Sequence, residues 1–396
     1  MQRPLKIAVY SGEIPSTTFI ERLIAELAKS GCHVLLFGRL NKKVKDLNNI
    51  TVLGFRSNTF LKGLFLLRYT ILLTLFRYHE KKQLDSILKK TAKTTRHDKV
   101  KCYPVLWHKP HVFHVQWAKG IHEWMWVKQF GIKLVVSLRG AHINYSPIAD
   151  PLLAEMYRET FPKVDGFHAV SKAIGIEAQN YGAQARNIFV AYSGLNVAQK
   201  NTVQPVKHLI SSRLHIISVG RPHWKKGYTY ALDACKLLKD KGLNFSYTIV
   251  GAANTTEYQY HCKDLGIQDC VTLLSKQTFS EVQALMKQAD VLLLPSVEEG
   301  IANVVLEAMA QETLVVSTNC GGMNEVITHG MNGFLVPIRD SNAIAKQLLN
   351  VYDLKPVKQQ QIKMAALKTI KEQHQSTSMA SKMLKLYKHV LKNEVI

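Results

Sequence analysis

Short apolar runs alternate with stretches of helical spacing along most of the chain. In the first half, apolar runs predict buried strands at 6–10, 34–37, 111–117, 134–138, 166–170 and 188–191. Between the first two runs, residues 18–29 have the spacing of an amphipathic helix, and Ser30-Gly31 follow as its stop signal. This alternation predicts an α/β domain with a mostly parallel, doubly wound sheet.

The same alternation restarts in the second half of the chain. Strands are predicted at 214–219, 247–250, 271–274, 291–294 and 314–317, and helices at 228–239, at 279–288 and from about Asn303. The glycine-led segment 321–325 is predicted to open another helix. Residues 197–213 are polar and lack periodicity, so we interpret them as a linker. The predicted domains are therefore 1–197 and 198–375, with a C-terminal helix over 376–396 that packs back on the first domain.

The charged residues are unevenly distributed between the two halves of the chain. The 396 residues carry a net charge of +23, and residues 1–200 contain 30 Lys and Arg against 13 Asp and Glu, a net of +17. The first half is therefore expected to face a polyanion or an anionic surface. The six cysteines show no Cys-x-x-Cys or Cys/His spacing, which predicts reduced thiols in a cytoplasmic protein and no metal site. The N-terminus enters a strand without the features of a signal peptide.

One segment of the first half combines apolar and basic residues. The text FLKGLFLLRYTILLTLFRY at 60–78 is followed by eight Lys and Arg between 81 and 101. Its apolar part, 63–76, is about 14 residues long and contains Arg68, so we predict that it does not span a bilayer about 30 Å thick. A basic, leucine-rich helix is typical of the membrane interface. A buried core helix with a solvated charged face is the alternative.

The segment 295–310 predicts a strand, a turn and a helix start. Helix beginnings expose unpaired N–H groups and attract anions such as a diphosphate. Glu299 in the turn and Glu307 in the helix place two carboxylates nearby, and carboxylates accept hydrogen bonds from sugar hydroxyls. An ordinary helix N-terminus with acidic residues that complement the dipole is the alternative.

Three further loops follow predicted strands, where ligands bind in doubly wound sheets. Gly12 lies in the loop after the first strand, and Arg139 follows the strand 134–138. Arg221 and Lys226 follow the strand 214–219 and offer a bidentate and a mobile cation to phosphate oxygens.

Two independent motifs carry a family resemblance that covers nearly the whole chain. EGIANVVLEAMA at 299–310 and the later GGMNEVITHGMNGFLVP resemble the E-x7-E region and its sequel in retaining glycosyltransferases of family 4. SVGRPHWKKG at 218–227 resembles the phosphate clamp of the same family. The resemblance implies the GT-B fold, in which two doubly wound Rossmann-like domains face a central cleft.

The resemblance also implies roles for individual residues. Arg221 and Lys226 would bind the donor diphosphate, Glu299 would contact the donor sugar and Glu307 would hold the ribose hydroxyls. The backbone N–H groups of Gly300, Ile301, Ala302, Asn303 and Val304 would cradle the distal phosphate, and Gly12 would allow the acceptor-side loop to approach it. Transfer of a hexosyl or N-acetylhexosaminyl group would need neither a metal ion nor a cofactor, because the two cations and the helix start replace the metal's charge.

The chain departs from the family pattern at two informative positions. Arg139 stands where the family usually has His, and a contact of Arg139 with sugar or phosphate is expected. Thr17 stands where Glu is found in the PSETFI loop of enzymes that assemble bacterial surface polysaccharides.

The resemblance and the charge together suggest an acceptor. A lipid-linked saccharide would present its hydroxyl at the inner face of the cell membrane, where the basic first domain would attach peripherally. Three alternatives remain open: a sugar-nucleotide-binding regulatory protein without turnover, a sugar-nucleotide 2-epimerase and a nucleic-acid-binding protein. No recognisable nucleic-acid-binding motif supports the last of them.

Overall fold

The computed structural model describes residues 4–42, 48–91, 95–196 and 212–392. The chain forms two compact units. The N-terminal unit comprises Met1–Val170, Ile174–Gly194 and Ser376–Ile396, and the C-terminal unit comprises Ser171–Ala173 and Leu195–Gln375. The predicted linker 197–213 lies, except for its last two residues, outside the described residues.

The N-terminal unit is a seven-stranded, wholly parallel sheet in the order β3-β2-β1-β4-β5-β6-β7. Its strands are β1 (Lys6–Ile14), β2 (His33–Leu40), β3 (Ile50–Phe55), β4 (Val112–Val115), β5 (Lys133–Leu138), β6 (Gly166–Ala169) and β7 (Ile188–Val190). Its helices are α1 (Thr18–Lys29), α2 (Thr59–Phe76), α3 (Tyr78–Lys90), α4 (Arg96–His108), α5 (Ala141–Asn144), α6 (Ser146–Ala149) and α7 (Pro151–Thr160), and α8 (Lys172–Gln179) begins at the unit boundary. The strand order reverses between β1 and β4, which is where such sheets bind ligands.

The C-terminal unit repeats this plan with six parallel strands in the order β10-β9-β8-β11-β12-β13. The strands are β8 (Leu214–Val219), β9 (Phe245–Val250), β10 (Val271–Leu274), β11 (Val291–Leu294), β12 (Leu314–Thr318) and β13 (Phe334–Val336). The helices are α9 (Tyr228–Asp240), α10 (Thr256–Asp264), α11 (Phe279–Gln288), α12 (Asn303–Ala310), α13 (Ser341–Tyr352) and α14 (Pro356–Gln373). Here the order reverses between β8 and β11. The predicted pair of doubly wound sheets is confirmed.

Apolar runs made the strands predictable because both faces of a parallel sheet are covered. All four residues of β11 are buried, as are all four of β4. Strand β3 was not predicted. Its first five residues are only half-buried, so they carry a weaker apolar pattern.

Two predicted boundaries were wrong for backbone reasons. The expected loop after residue 10 is the continuation of β1, because a register shift between Tyr10 and Gly12 lets the strand pair with β2 as far as Ile14. The helix expected at 321–325 is only a 3₁₀ turn, Met323–Glu325. Gly321 has a left-handed φ of +52°, and Gly322 N–H donates to the Gly300 carbonyl at 2.7 Å, so this backbone is used for a loop contact.

Helix α2 is longer than its apolar core predicted. Its 18 residues have a mean hydropathy of 1.5, and among the described helices it alone has the length and composition to cross a bilayer. Length and composition alone do not show that α2 crosses a bilayer, because a helix that packs on a protein along one face can have the same length and composition. Tyr69 and Leu73 are buried in the N-terminal unit, and the Tyr69 hydroxyl lies 3.0 Å from His108 Nε2 on α4. The opposite face is exposed.

The last helix, α15 (Ser376–Lys392), packs on the N-terminal sheet although it follows the C-terminal unit in sequence. Leu386 and Val390 lie so close to Gly166 of β6 that a Cβ there would lie 2.7 Å and 2.6 Å from their methyl groups. The Tyr387 hydroxyl lies 2.8 Å from His114 Nδ1 on β4. The end of the chain therefore completes the core of its first unit.

Tyr387 begins a buried chain of hydrogen bonds. His114 Nε2 lies 2.8 Å from Ser137 Oγ, which lies 2.8 Å from His168 Nδ1, and His168 Nε2 lies 2.9 Å from the Ala191 carbonyl. A carbonyl only accepts, so His168 Nε2 donates and its Nδ1 accepts from Ser137. Ser137 then accepts from His114 Nε2, and His114 Nδ1 accepts from Tyr387. These directions apply because both imidazoles are neutral: burial lowers the pKa of His114 and, to about 3, that of His168.

Candidate active site

Two loops meet at the point where the C-terminal sheet reverses its order. The loop after β8 contains Gly220, Arg221 and a 3₁₀ turn, Trp224–Lys226, and the loop after β11 runs over 295–302. Val297 N–H donates to the Lys225 carbonyl at 2.7 Å. Gly227 has a φ of +62°, and a Cβ there would overlap the Pro295 carbonyl oxygen. The two loops are therefore fixed to each other through their backbones.

The contact also brings opposite charges together. Lys226 Nζ lies 2.6 Å from Glu299 Oε1, and Lys225 Nζ lies 3.6 Å from Glu299 Oε2. The Glu299 carboxylate is buried and also accepts from Ser296 Oγ at 3.3 Å. Taking a carboxylate out of water costs several kcal/mol unless cations and donors compensate. The two lysines and the serine supply that compensation, and they hold Glu299 in one position.

The surroundings of this ion pair are strongly positive. Burial, followed by the charges of Lys225, Arg221 and Lys226, lowers the pKa of His223. Arg221 is exposed, and within the described part of the chain its guanidinium makes no hydrogen bond or ion pair. A free guanidinium beside two ammonium groups suits a diphosphate, which accepts from all three.

Helix α12 starts here without a side-chain cap. Ala302 occupies the N-cap position, whereas α11 has a complete Thr278–Glu281 capping box and Asp340 caps α13. Alanine is among the poorest cap residues, so the first N–H groups of α12 keep their capacity to bind an external acceptor. The enclosed Asn303 Oδ1 likewise has no hydrogen-bond donor among the described residues. A bound anion would accept from the N–H groups of α12, and a hydroxyl group of the same ligand would donate to Asn303 Oδ1.

The lack of room for a side chain at Gly227 leads to a stability prediction. We expect Gly227→Ala to destabilise the C-terminal unit by roughly 3 kcal/mol, because the methyl group overlaps Pro295 and the left-handed backbone is strained. Gly242→Ala is the matched control, since φ is +74° there and nothing lies within 4 Å of the added Cβ. It should cost only about 1 kcal/mol. Equal losses in urea unfolding of the two variants would contradict the close approach of the loops.

Two predicted site residues, Gly12 and Arg139, lie in the N-terminal unit. Gly12 has a φ of +91°, and no atom lies within 4 Å of the position that its Cβ would occupy. Its conformation therefore requires glycine, and the space beside it is open. Arg139 follows β5 and is partly buried: its Nη2 donates to Gln116 Oε1 at 3.0 Å, and its guanidinium lies 4.5 Å from the centre of the Phe19 ring.

The Phe19 ring stabilises Arg139 only in part. A cation–π contact contributes about 1–2 kcal/mol when it is desolvated. Burying a guanidinium costs several kcal/mol. Burial accordingly lowers the pKa of Arg139 to about 9.

The structure thus joins some of the predicted residues of the C-terminal unit, whereas Gly12 and Arg139 belong to the N-terminal unit. It brings Lys226 and Glu299 into contact, places 300–302 directly before α12 and leaves Arg221 exposed beside them. Glu307 lies on the second turn of α12 and is half-buried. The prediction missed Lys225, Gly227 and Gln116 as site residues. Gln116 directly follows an apolar run at the carboxyl end of β4, and that position was the available signal.

Comparisons with known proteins agree with this geometry. Residues 213–353 match the family model described as Glycosyl transferases group 1. The amylovoran biosynthesis glycosyltransferase AmsK of Erwinia amylovora is 33% identical over 177 residues, 43% of each chain. The putative colanic acid biosynthesis glycosyltransferase WcaL of Escherichia coli K12 is 31% identical over 242 residues, 57% of this chain and 58% of WcaL. The chain therefore matches about half the length of these relatives.

Solved structures extend the comparison to the complete fold. Sucrose-phosphate synthase from Thermosynechococcus elongatus superposes with a TM-score of 0.74 at 16% identity, covering 98% of this chain and 100% of that chain. Anabaena HepE in complex with UDP and glucose gives 0.69 at 17% identity, covering 96% and 98%. The GT-B fold and the resemblance to glycosyltransferases of surface-polysaccharide assembly are both confirmed.

Proposed function

We propose that this chain transfers a sugar from a nucleoside-diphosphate sugar to a hydroxyl of a saccharide acceptor in polysaccharide synthesis, as a retaining, metal-independent enzyme of family 4. The observation that carries the proposal is the meeting of Arg221, Lys225 and Lys226 with the uncapped start of α12 at the switch point of the C-terminal sheet. The names of AmsK and WcaL support the pathway class, and the UDP bound to HepE supports the donor class.

The proposed reaction needs little beyond charge stabilisation. The bond between the anomeric carbon and the diphosphate oxygen breaks, and the acceptor oxygen bonds to the same face of the sugar through an oxocarbenium-like transition state. The acceptor proton passes to the departing phosphate oxygen, so no enzymic nucleophile is required. Arg221, Lys226 and the N–H groups at 300–304 stabilise the charge that develops on the diphosphate. Glu299, held by two lysines, is positioned to accept from donor hydroxyls.

Two measurements test this proposal. Thermal unfolding with UDP, GDP and ADP should show stabilisation by one of them, since a ligand at 100 times its Kd adds about 2.7 kcal/mol. Release of the nucleoside diphosphate should then require an acceptor, and NMR of the product should show the donor's anomeric configuration. Binding without release in the presence of polyprenyl diphosphate-linked oligosaccharides would favour the regulatory alternative. Absence of binding by all three nucleotides would overturn the proposal.

A second part of the proposal concerns the membrane. We infer that α2 docks peripherally on an anionic membrane, where a lipid-linked acceptor would be presented. Five apolar side chains at helical spacing form its exposed face: Phe60, Leu64, Leu67, Ile71 and Leu75. Phe60 is 72% exposed and Leu75 69%. The helix is about 27 Å long, but its other face is packed on the protein, so it suits the interface better than the bilayer interior.

Basic side chains lie on α2 and on the next helix, α3. Arg68, Lys82, Lys89 and Lys90 are exposed, whereas Arg77 and Lys81 form ion pairs with Glu80 and Asp85 within the unit. Lys93 of the predicted basic run lies outside the described residues. The exposed set, and not Arg77 or Lys81, is therefore the set to alter when membrane binding is tested.

We expect Phe60, Leu64, Leu67 and Ile71 replaced together by Ser to reduce sedimentation with anionic vesicles at least about tenfold, because each buried methylene contributes about 0.8 kcal/mol. Replacing Arg68, Lys82, Lys89 and Lys90 by Gln should weaken binding mainly at low salt. Ile148 and Leu152, which are 72% and 77% exposed elsewhere on the unit, provide the control when replaced by Ser. Undiminished sedimentation of the first variant would remove the membrane proposal.

A further inference from the structure

Arg139 is a partly buried cation without an acidic partner among the described residues. Within the described part of the chain it forms no ion pair, and its side-chain contacts are Gln116 and the Phe19 ring. Tyr387 alone among ionisable groups acts to raise its pKa, against the larger effect of burial. Buried charges in proteins are normally paired, so this one needs an explanation.

The titratable groups around Arg139 do not neutralise it. The pKa of His114 lies well below its usual value, first because His114 is buried and then because of electrostatic interactions with His168 and Arg139. Burial and Arg139 lower the pKa of His168 to about 3, and burial raises that of Tyr387 well above its usual value. All three side chains are uncharged at pH 7 and are used in the hydrogen-bond chain that ends at Ala191. No described residue of the unit therefore compensates the positive charge of Arg139.

Two enclosed donors also have no acceptor. Arg139 Nε and Gln116 Nε2 are both buried, and neither has a hydrogen-bond partner among the described residues. The orientation of the Gln116 amide is fixed, because Arg139 only donates and must therefore face Oε1. Gln116 itself is fully buried. Two neighbouring strand ends, those of β4 and β5, thus each carry a donor that lacks an acceptor.

The place of these donors in the fold is a ligand position. Strands β1, β4 and β5 are neighbours at the switch point of the N-terminal sheet, and the open space beside Gly12 lies at the end of β1. Phe19 and Trp117 pack edge to face with ring centres 6.2 Å apart, which adds an apolar wall. Low polarity near a cation strengthens its attraction for an anion.

We propose that Arg139, with Gln116 beside it, binds a carboxylate or phosphate carried by a saccharide substrate, so that this chain selects an acidic sugar. The proposal rests on the glycosyltransferase function proposed above. The anion can belong to the donor, as the carboxylate of a uronic acid, or to the acceptor, as a uronate or a phosphate. In either case it supplies the negative charge that the described residues around Arg139 do not provide.

Calorimetric titration separates these sources. Wild type, Arg139→Gln and Arg139→His are each titrated with UDP-glucuronate, UDP-glucose and UDP. If the protein prefers GDP, the three ligands are GDP-mannuronate, GDP-mannose and GDP. With a donor anion, wild type should bind the acidic donor at least tenfold tighter than the neutral one. Arg139→Gln should abolish that preference and leave the affinity for the nucleotide unchanged. With an acceptor anion, the same preference should appear in KM for polyprenyl diphosphate-linked oligosaccharides with and without a terminal uronate.

Arg158→Gln is the matched control, because Arg158 also lies over an aromatic ring in the same unit, 5.9 Å from the centre of Tyr181, but is exposed. It should preserve the preference. A structural role for Arg139 would instead weaken all ligands equally or lower the unfolding temperature without changing the preference, and this outcome overturns the proposal. The proposal is also overturned if wild type shows neither tighter binding of the acidic donor nor a lower KM for the uronate-carrying acceptor. Failure of every nucleotide to bind would instead refute the proposed function.

Discussion

Replacing Arg221 and Lys226 together by Ala is expected to lower kcat/KM for sugar transfer by about 10,000-fold. Removing one preorganised donor to developing charge typically costs about 10²–10³ in rate, and these two side chains act on the same diphosphate. Both belong to the loop after β8, where burial and then the charges of Lys225, Arg221 and Lys226 lower the pKa of His223. The measurement is nucleoside diphosphate release at saturating and subsaturating donor.

The ion pair with Glu299 requires a control for this variant. Loss of Lys226 removes the shorter of the two lysine contacts of the buried Glu299 carboxylate and leaves Lys225 at 3.6 Å, so part of the effect can come from a displaced Glu299. Glu299→Gln and the Lys226→Ala/Glu299→Gln double variant separate the two contributions. If Lys226 binds the donor, the double variant should be slower than Glu299→Gln by the full factor for Lys226. If Lys226 only positions Glu299, the two should be equally slow.

Lys236→Ala provides a matched surface control. Lys236 pairs with Asp240 at 2.5 Å on α9 of the same unit, with both side chains about half exposed. Its removal should leave kcat/KM within about twofold, since exposed pairs contribute at most about 1 kcal/mol. Retained turnover in the Arg221/Lys226 variant would refute the charge-stabilisation mechanism.

Acidification from pH 8 to pH 5 should destabilise the N-terminal unit through His114 and His168, with about 2 kcal/mol from His168. In the folded state burial lowers the pKa of both, to about 3 for His168. The unfolded chain takes up these protons below a pKa of about 6.5, whereas the folded unit does not. Stability is therefore complete above pH 6.5 and falls as pH decreases, by up to about 1.4 kcal/mol per pH unit for each histidine.

Urea unfolding monitored by tryptophan fluorescence at pH 8, 6.5 and 5 measures this slope. His168→Gln and His114→Gln should lower stability at pH 8, since each breaks the hydrogen-bond chain from Tyr387 to Ala191. Each should also remove about half of the slope that the pair contributes. His79→Gln is the control, because His79 is exposed on α3. An unfolding midpoint that does not change between pH 8 and pH 5 would show that the imidazoles are not buried as neutral groups.

The sequence by itself determined the elements and the loops that carry chemistry. Strand β11 and helices α1 and α11 have the predicted bounds, and α12 begins at the predicted residue, because their apolar residues follow a local period that burial enforces. Glycine and charge patterns after β8 and β11 identified Arg221, Lys226 and Glu299 as candidates. These signals are local, and a single chain shows them without reference to any distant residue.

Only the tertiary structure decided which of these residues meet. Lys226 and Glu299 are 73 positions apart, and Tyr387 and His114 are 273 positions apart, so no local period links either pair. The exposed face of α2 and the unpaired charge of Arg139 likewise depend on what the rest of the unit covers. Periodicity reports whether a side chain is buried; which partner it meets depends on the order of the strands and on contacts between segments far apart in sequence.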